Sequence, residues 1–209
     1  MNDTPNKPPP PGVSRRGFLT GSGAAAAAAV GMSAEMAPAA AQRAGAAAAF
    51  GPAPVLLELT VNGKKLTTNV EPRVTLLDAL RNYLDVTGCK RVCDRATCGA
   101  CTVLLDGKLV YSCTTLAIEA QGKPIRTAES LFNNGKVDAV PAAFVRADAQ
   151  QCGFCTPGFV VAMKAVLEAN PQATPADIEK GLQGNICRCG TYEQMRDAIY
   201  ALCNQKRTN

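Results

Sequence analysis

The chain has 209 residues, 47% of them apolar, a formal net charge of +5, ten cysteines, no tryptophan and no histidine. The missing histidine excludes Rieske ligation, a Cys-x-x-Cys-His haem site, His-ligated zinc and any Ser-His or Cys-His catalytic couple, which argues against an independent catalyst. Beyond residue 50 the balance is 18 Lys+Arg against 15 Asp+Glu, and aromatic residues are only 5%, so neither a basic footprint nor a stacking platform points to nucleic acid.

Residues 1–50 read as an address rather than a fold. Sixteen of these fifty residues are alanine, so the apolar fraction overstates the core. Ser14-Arg15-Arg16-Gly17-Phe18-Leu19-Thr20 places paired arginines before a weakly apolar run from Gly21 to about Met32, the pattern of a twin-arginine export signal. That run is short and is followed by Glu35 and Arg43, so an integral membrane span is not expected. Ala39-Ala40-Ala41 and Ala47-Ala48-Ala49 are both possible cleavage sites. A periplasmic location follows as the expectation. The twin-arginine route carries folded proteins, which suits a chain whose cofactor is inserted in the reducing cytoplasm.

Residues 53–130 predict a small mixed sheet crossed by one helix. Val55–Val61 and Lys64–Val70 flank Asn62-Gly63, a hairpin signal, with Leu57, Leu59 and Val61 on one face. Thr75 to Leu84 reads as a helix capped by Thr75, burying Leu76, Leu77, Leu80 and Leu84. Cys93, Cys98 and Cys101 then stand at C-x4-C-x2-C, the plant-type [2Fe–2S] spacing, with Cys113 as the fourth ligand. Asp106-Gly107 predicts the hairpin that returns it: pairing Leu105 with Lys108 sets Cys113 opposite Ala100 and beside Cys101. Zinc sites favour paired C-x2-4-C units, which this spacing is not. Small Gly99 and Ala100 are expected to let backbone N–H groups approach sulfur, and Lys90, Arg91 and Arg95 to add positive charge. Cys89 gives the wrong gap for a ligand and reads as a small buried thiol. A helical turn near Leu116 and a strand at Pro124–Thr127 close the unit.

Residues 131–209 carry C-x2-C at Cys152 and Cys155 and C-x-C at Cys187 and Cys189, set among helical periods. Asp138 to about Ala149 predicts a helix with Val140, Phe144 and Val145 inward. Thr156 caps the next, with Pro157 at its first position, and Phe159, Val160, Met163, Val166 and Leu167 form its stripe until Asn170-Pro171. Thr174-Pro175 opens a short helix. Thr191-x-x-Gln194 predicts a capping box, and Tyr192, Met195, Ile199 and Leu202 share a face of the last helix. Two helix N-termini, capped by Thr156 and Thr191, are thus expected beside the second thiolate set. Cys203 falls on the apolar face and reads as core.

With both motifs in hand, residues 53–203 resemble the small iron–sulfur subunit of the xanthine dehydrogenase/aldehyde oxidoreductase family of molybdenum hydroxylases, and look most like the exported bacterial aldehyde oxidoreductase subunits. The resemblance implies an α+β chain: an N-terminal β-grasp ferredoxin-like domain, then an all-α four-helix domain, each holding one [2Fe–2S] cluster. It implies that Cys93, Cys98, Cys101 and Cys113 bind the cluster nearer a flavin, and that Cys152, Cys155, Cys187 and Cys189 bind the one nearer molybdopterin. Gln151 matches the position that contacts the pterin. The implied partners are a molybdopterin-binding large subunit and an FAD-binding medium subunit, with this chain relaying electrons between them. Ala96 stands where the family usually has glycine, so strain is expected if that position needs a positive φ. Gly190-Thr191-Tyr192 replaces the commoner Thr-Gly-Tyr. Three other readings remain: a flavin-free complex with a cytochrome acceptor, a disulfide-stapled exported binding module, and a free-standing ferredoxin.

Overall fold

Asn62-Gly63 and Asp106-Gly107 set the sheet. All four residues have positive φ, the condition for two-residue turns that follow the strand twist. In this computed structural model, which describes residues 50–205, they join β1 (Val55–Val61) to β2 (Lys64–Val70) and β3 (Thr102–Leu105) to β4 (Lys108–Tyr111). The twin-arginine segment, the alanine run and both cleavage candidates lie outside the described residues. β5 (Pro124–Arg126) runs parallel to β1 and antiparallel to β3, giving the order β2-β1-β5-β3-β4. Leu105 pairs with Lys108 and Thr102 with Tyr111, so the ladder delivers Cys113 two residues beyond its last pair, next to the cluster loop.

Thr75 caps α1 (Leu76–Asp78) by accepting the Asp78 N–H, as its position predicts. The expected ten-residue helix does not continue as one: Ala79–Tyr83 widens into a π-helix, closed by the Leu84 N–H on the Ala79 carbonyl. The wider turn keeps Leu76, Leu77 and Leu80 buried while Leu84 is only half-buried. A 3₁₀ turn (Ala117–Ala120) stands near Leu116, and a second (Ala128–Leu131) leads into a hairpin the sequence reading missed, β6 (Phe132–Asn133) and β7 (Lys136–Val137) about Asn134-Gly135.

Four helices follow: α2 (Ala139–Arg146), α3 (Thr156–Ala169), α4 (Pro175–Gly181) and α5 (Tyr192–Leu202). Asp138 caps α2, and Thr174 with Asp177 forms a capping box on α4. Val140, Phe144, Phe159, Val160, Met163, Met195 and Ile199 build the helical core. Two expected inward residues are not there. Val145 is 70% exposed and Tyr192 43%. Val145 lies one residue past the buried Phe144, about 100° round the helix. Tyr192 turns its ring back toward the Cys187 loop. Cys203 is half-buried against this core and donates to the Ala173 carbonyl.

Every residue of β3 is buried, because its two faces serve different cores. Val103 and Leu105 pack with β1 and α1; Leu104 joins the helical cluster. The helices therefore cover the sheet face that would otherwise meet water.

Candidate iron–sulfur sites

The loop from Gly88 to Cys101 has no regular ladder of its own, so its backbone is free to turn toward sulfur. The Thr97 and Cys98 N–H groups donate to Cys93 Sγ at 3.3 and 3.4 Å, and the Ala96 N–H to Cys113 Sγ at 3.3 Å. Those three donors, rather than the N–H groups of Gly99 and Ala100, face the sulfurs. Ala96 reaches this position with φ 54°, the left-handed region that disfavours a Cβ. Gly99, with φ +69°, has a different duty. A Cβ there would meet the Gly184 carbonyl and the Asn185 side chain, so glycine permits close approach of the second site. The basic residues of the loop are engaged locally: Arg91 pairs with Asp78 and Asp94, Arg95 donates to the Cys93 carbonyl and Lys90 to the Thr87 carbonyl.

The sulfurs fall in twos. Cys93 lies within hydrogen-bonding reach of Cys98, Cys101 of Cys113, and Cys155 of Cys187, while Cys152 and Cys189 are 3.5 Å apart. All ten cysteines are free of disulfides. Burial raises the Cys93 thiol, but N–H groups of Arg95, Thr97 and Cys98 outweigh it and leave the group lowered to about 6. Burial pushes Cys101 and Cys155 up to about 12, each opposed to a second thiol. Cys187 is also raised by burial, then brought down to about 7 chiefly by the Thr191 hydroxyl. The thiols that burial holds protonated would give up their protons when a metal binds.

The second set is placed by helix ends, though not as expected. Cys155 occupies the N-cap of α3, so Thr156 is the first helical residue, and its buried hydroxyl has no hydrogen-bond partner. Thr191 holds the N-cap of α5 without a capping bond; its Oγ1 lies 3.3 Å from Cys187 Sγ. Tyr192 Oη accepts the Cys187 N–H at 2.8 Å. Cys152 and Cys189 are exposed, as is Gln151, whereas Cys187 is buried. Cys89 is buried outside the sulfur pairs, its thiol pushed up to about 11 by burial and Glu129.

These residues fit a [2Fe–2S] group at each set. The paired sulfurs suit four thiolates that divide two and two between a pair of irons. The Thr156 hydroxyl, orphaned beside Cys155, would find an acceptor in such a group.

The two sites are stitched together. The Ile186 N–H donates to the Cys98 carbonyl at 2.9 Å, joining the residue before Cys187 to a first-site cysteine. Asn185 Nδ2 donates to the Gly99 carbonyl at 2.9 Å and Tyr111 Oη to the Gly184 carbonyl at 3.0 Å. Gly158, in α3, packs on the Gly99 carbonyl, where a Cβ would collide. Nothing local in the sequence marks Tyr111, Gly158 or Asn185 for this role.

A β-grasp sheet and a helical unit, each presenting four cysteines as facing pairs, define a two-centre iron–sulfur electron-transfer protein. Residues 59–127 match the 2Fe-2S iron-sulfur cluster binding domain family and residues 127–200 the [2Fe-2S] binding domain family. The chain is 44% identical over 145 residues to the nicotine 6-hydroxylase small subunit of Paenarthrobacter nicotinovorans, covering 69% of this chain and 87% of that one. It is 40% identical over 165 residues to the aldehyde oxidoreductase iron-sulfur-binding subunit PaoA of Escherichia coli K12, covering 71% and 72%. Among solved structures, quinoline 2-oxidoreductase from Pseudomonas putida 86 superposes with a TM-score of 0.68 at 40% identity, covering 72% of this chain and 94% of that one. Aldehyde oxidoreductase from Desulfovibrio desulfuricans ATCC 27774 gives 0.67 at 36%, but the match spans only 17% of that longer chain. The chain belongs to the iron–sulfur subunits of the xanthine dehydrogenase/aldehyde oxidoreductase family, and its function is electron transfer.

Proposed function

We propose that this chain is the electron-transfer subunit of an exported molybdenum-dependent hydroxylase or aldehyde oxidoreductase, linking a molybdopterin-bearing large subunit to an FAD-bearing subunit. Cys93, Cys98, Cys101 and Cys113 would hold one [2Fe–2S] cluster and Cys152, Cys155, Cys187 and Cys189 the other; when bound, each cluster supplies one-electron redox chemistry. The observation that carries the reading is the Ile186-to-Cys98 hydrogen bond, which places a cysteine of each set at the two ends of one short bonded link. The protein's part is to hold the two sets in fixed register.

The surface supports two docking sides. Gln151, Cys152 and Cys189 are exposed next to Phe154 (48% exposed) and Ile186 (48%), an apolar rim suited to the large subunit, with Gln151 toward its pterin. The first loop offers Val92, 57% exposed, on the side of Cys93. Among the described residues no helix is long and apolar enough to cross a membrane. The paired Arg15 and Arg16 support export to the periplasm.

The test is co-expression with the neighbouring genes, followed by metal and flavin analysis. The expected complex carries on the order of four irons per copy of this chain, molybdenum and FAD. Cys93→Ser and Cys187→Ser should each remove one cluster's EPR signal and leave the other. A soluble, iron-free chain refutes the reading. Iron and molybdenum with a haem partner in place of flavin would replace the FAD subunit by a cytochrome. Replacing Arg15 and Arg16 by lysine should hold the protein in the cytoplasm.

A further inference from the structure

We propose that Thr191 raises the reduction potential of the second centre by donating its hydroxyl hydrogen to the Cys187 sulfur. The inference rests on the proposed function, since it takes Cys187 as a cluster ligand. Thr191 Oγ1 and Cys187 Sγ are 3.3 Å apart, and the two residues are 5% and 6% exposed. A metal-bound cysteine is a thiolate and has no hydrogen to give, so the hydroxyl is the donor. Threonine at a helix N-cap ordinarily accepts a backbone N–H from the next turn. Thr191 makes no such bond, so its hydroxyl serves the sulfur instead. The neighbouring Tyr192 hydroxyl accepts the Cys187 N–H and so fixes the backbone from which the sulfur is presented.

At the first centre, the sulfurs Cys93 and Cys113 receive backbone N–H groups, which a substitution cannot delete. At the second, the backbone N–H groups of Gly190 and Thr191 also face the Cys187 sulfur, and the Thr191 hydroxyl is the donor that one substitution removes. A hydrogen bond to sulfur stabilises the more negative, reduced state and so raises the potential.

The test is an EPR-monitored redox titration of the holo complex carrying Thr191→Val, which keeps the volume and removes the donor, and Thr191→Ser, which restores it. Thr191→Val should shift the second centre's oxidised-to-reduced ratio about tenfold at fixed potential, a fall of about 59 mV for a one-electron couple. The first centre should not move, and Thr191→Ser should recover most of the shift. Thr174→Val removes the hydroxyl of a true cap on α4 and controls for lost stability; both potentials should stay. An unmoved second potential in Thr191→Val overturns the proposal, as does an equal fall in Thr191→Ser. Should the valine variant assemble no second centre, Thr191→Ala is read by the same criteria. Wild-type iron near two or zero would overturn the proposed function instead.

Discussion

Gly63, Gly158 and Gly99 form a series that separates backbone strain from collision when each is replaced by alanine. Gly63 has φ +80° and open space around it, so alanine there costs only the left-handed penalty, about 1–2 kcal/mol. Gly158 lies inside α3 with no positive φ; alanine gains about 1 kcal/mol of helix propensity but drives a methyl onto the Gly99 carbonyl. Gly99→Ala meets both terms. Its φ is +69°, and the new Cβ would lie 2.6 Å from Asn185 Nδ2 and closer still to the Gly184 carbonyl. Relief requires the two loops to separate, which breaks the Asn185–Gly99 and Ile186–Cys98 bonds. At about 1 kcal/mol each, plus the strain, the loss is about 3–4 kcal/mol. Urea midpoints, followed together by far-UV circular dichroism and cluster absorbance, should fall in the order Gly63→Ala least, Gly99→Ala most. Gly99→Ala should also weaken the magnetic coupling between the reduced centres. If Gly99→Ala costs no more than Gly63→Ala, the loops do not touch as described.

Ala96→Gly should stabilise the chain by up to about 1 kcal/mol, because releasing φ 54° returns more than glycine's extra unfolded-state freedom costs; a raised urea midpoint with unchanged iron checks it. Cys89→Ala should leave iron content unaltered, whereas loss of iron would make Cys89 a ligand after all. Arg126 and Glu168 pair across the two modules, and Lys164 pairs with Asp138. Arg126 holds the Glu168 carboxyl below its ordinary value; burial raises Asp138, but Lys164 and the Val140 N–H outweigh it. Both folded-state values are lowered, so the stability they add is present at neutral pH and lost as pH falls below about 4. These groups are partly exposed, so Glu168→Gln should cost only about 1 kcal/mol at pH 7 and flatten the acid limb of the stability profile.

The turn dipeptides carried most of what the sequence revealed. Asn62-Gly63 and Asp106-Gly107 fixed two hairpins and their registers, because only residues tolerating positive φ make such turns. Asn134-Gly135 held the same signal, but its strands are two residues each, too short for any period to show. The cysteine spacing was legible because ligands must recur at set intervals. The hydroxyls were not: Thr191 holds a cap position yet turns to sulfur, and Thr156, expected as a cap, lies one residue inside α3 with its hydroxyl unpartnered. A cap is a local preference worth about 1 kcal/mol, and a nearby sulfur outcompetes it. The stitching by Tyr111, Gly158 and Asn185 joins residues far apart in the chain, where no pattern of neighbours can reveal it.

The double duty of β3 has a consequence for how such chains are inherited. Leu104 points into the helices while Val103 and Leu105 point away from them. A gene severed near residue 130 would encode a sheet whose Leu104 stood bare to water in place of its packing among the helices. Exchange of either half for a foreign relative would demand recarving that side. The two modules are therefore expected to travel through evolution as a single cassette, whatever larger enzyme they are spliced into.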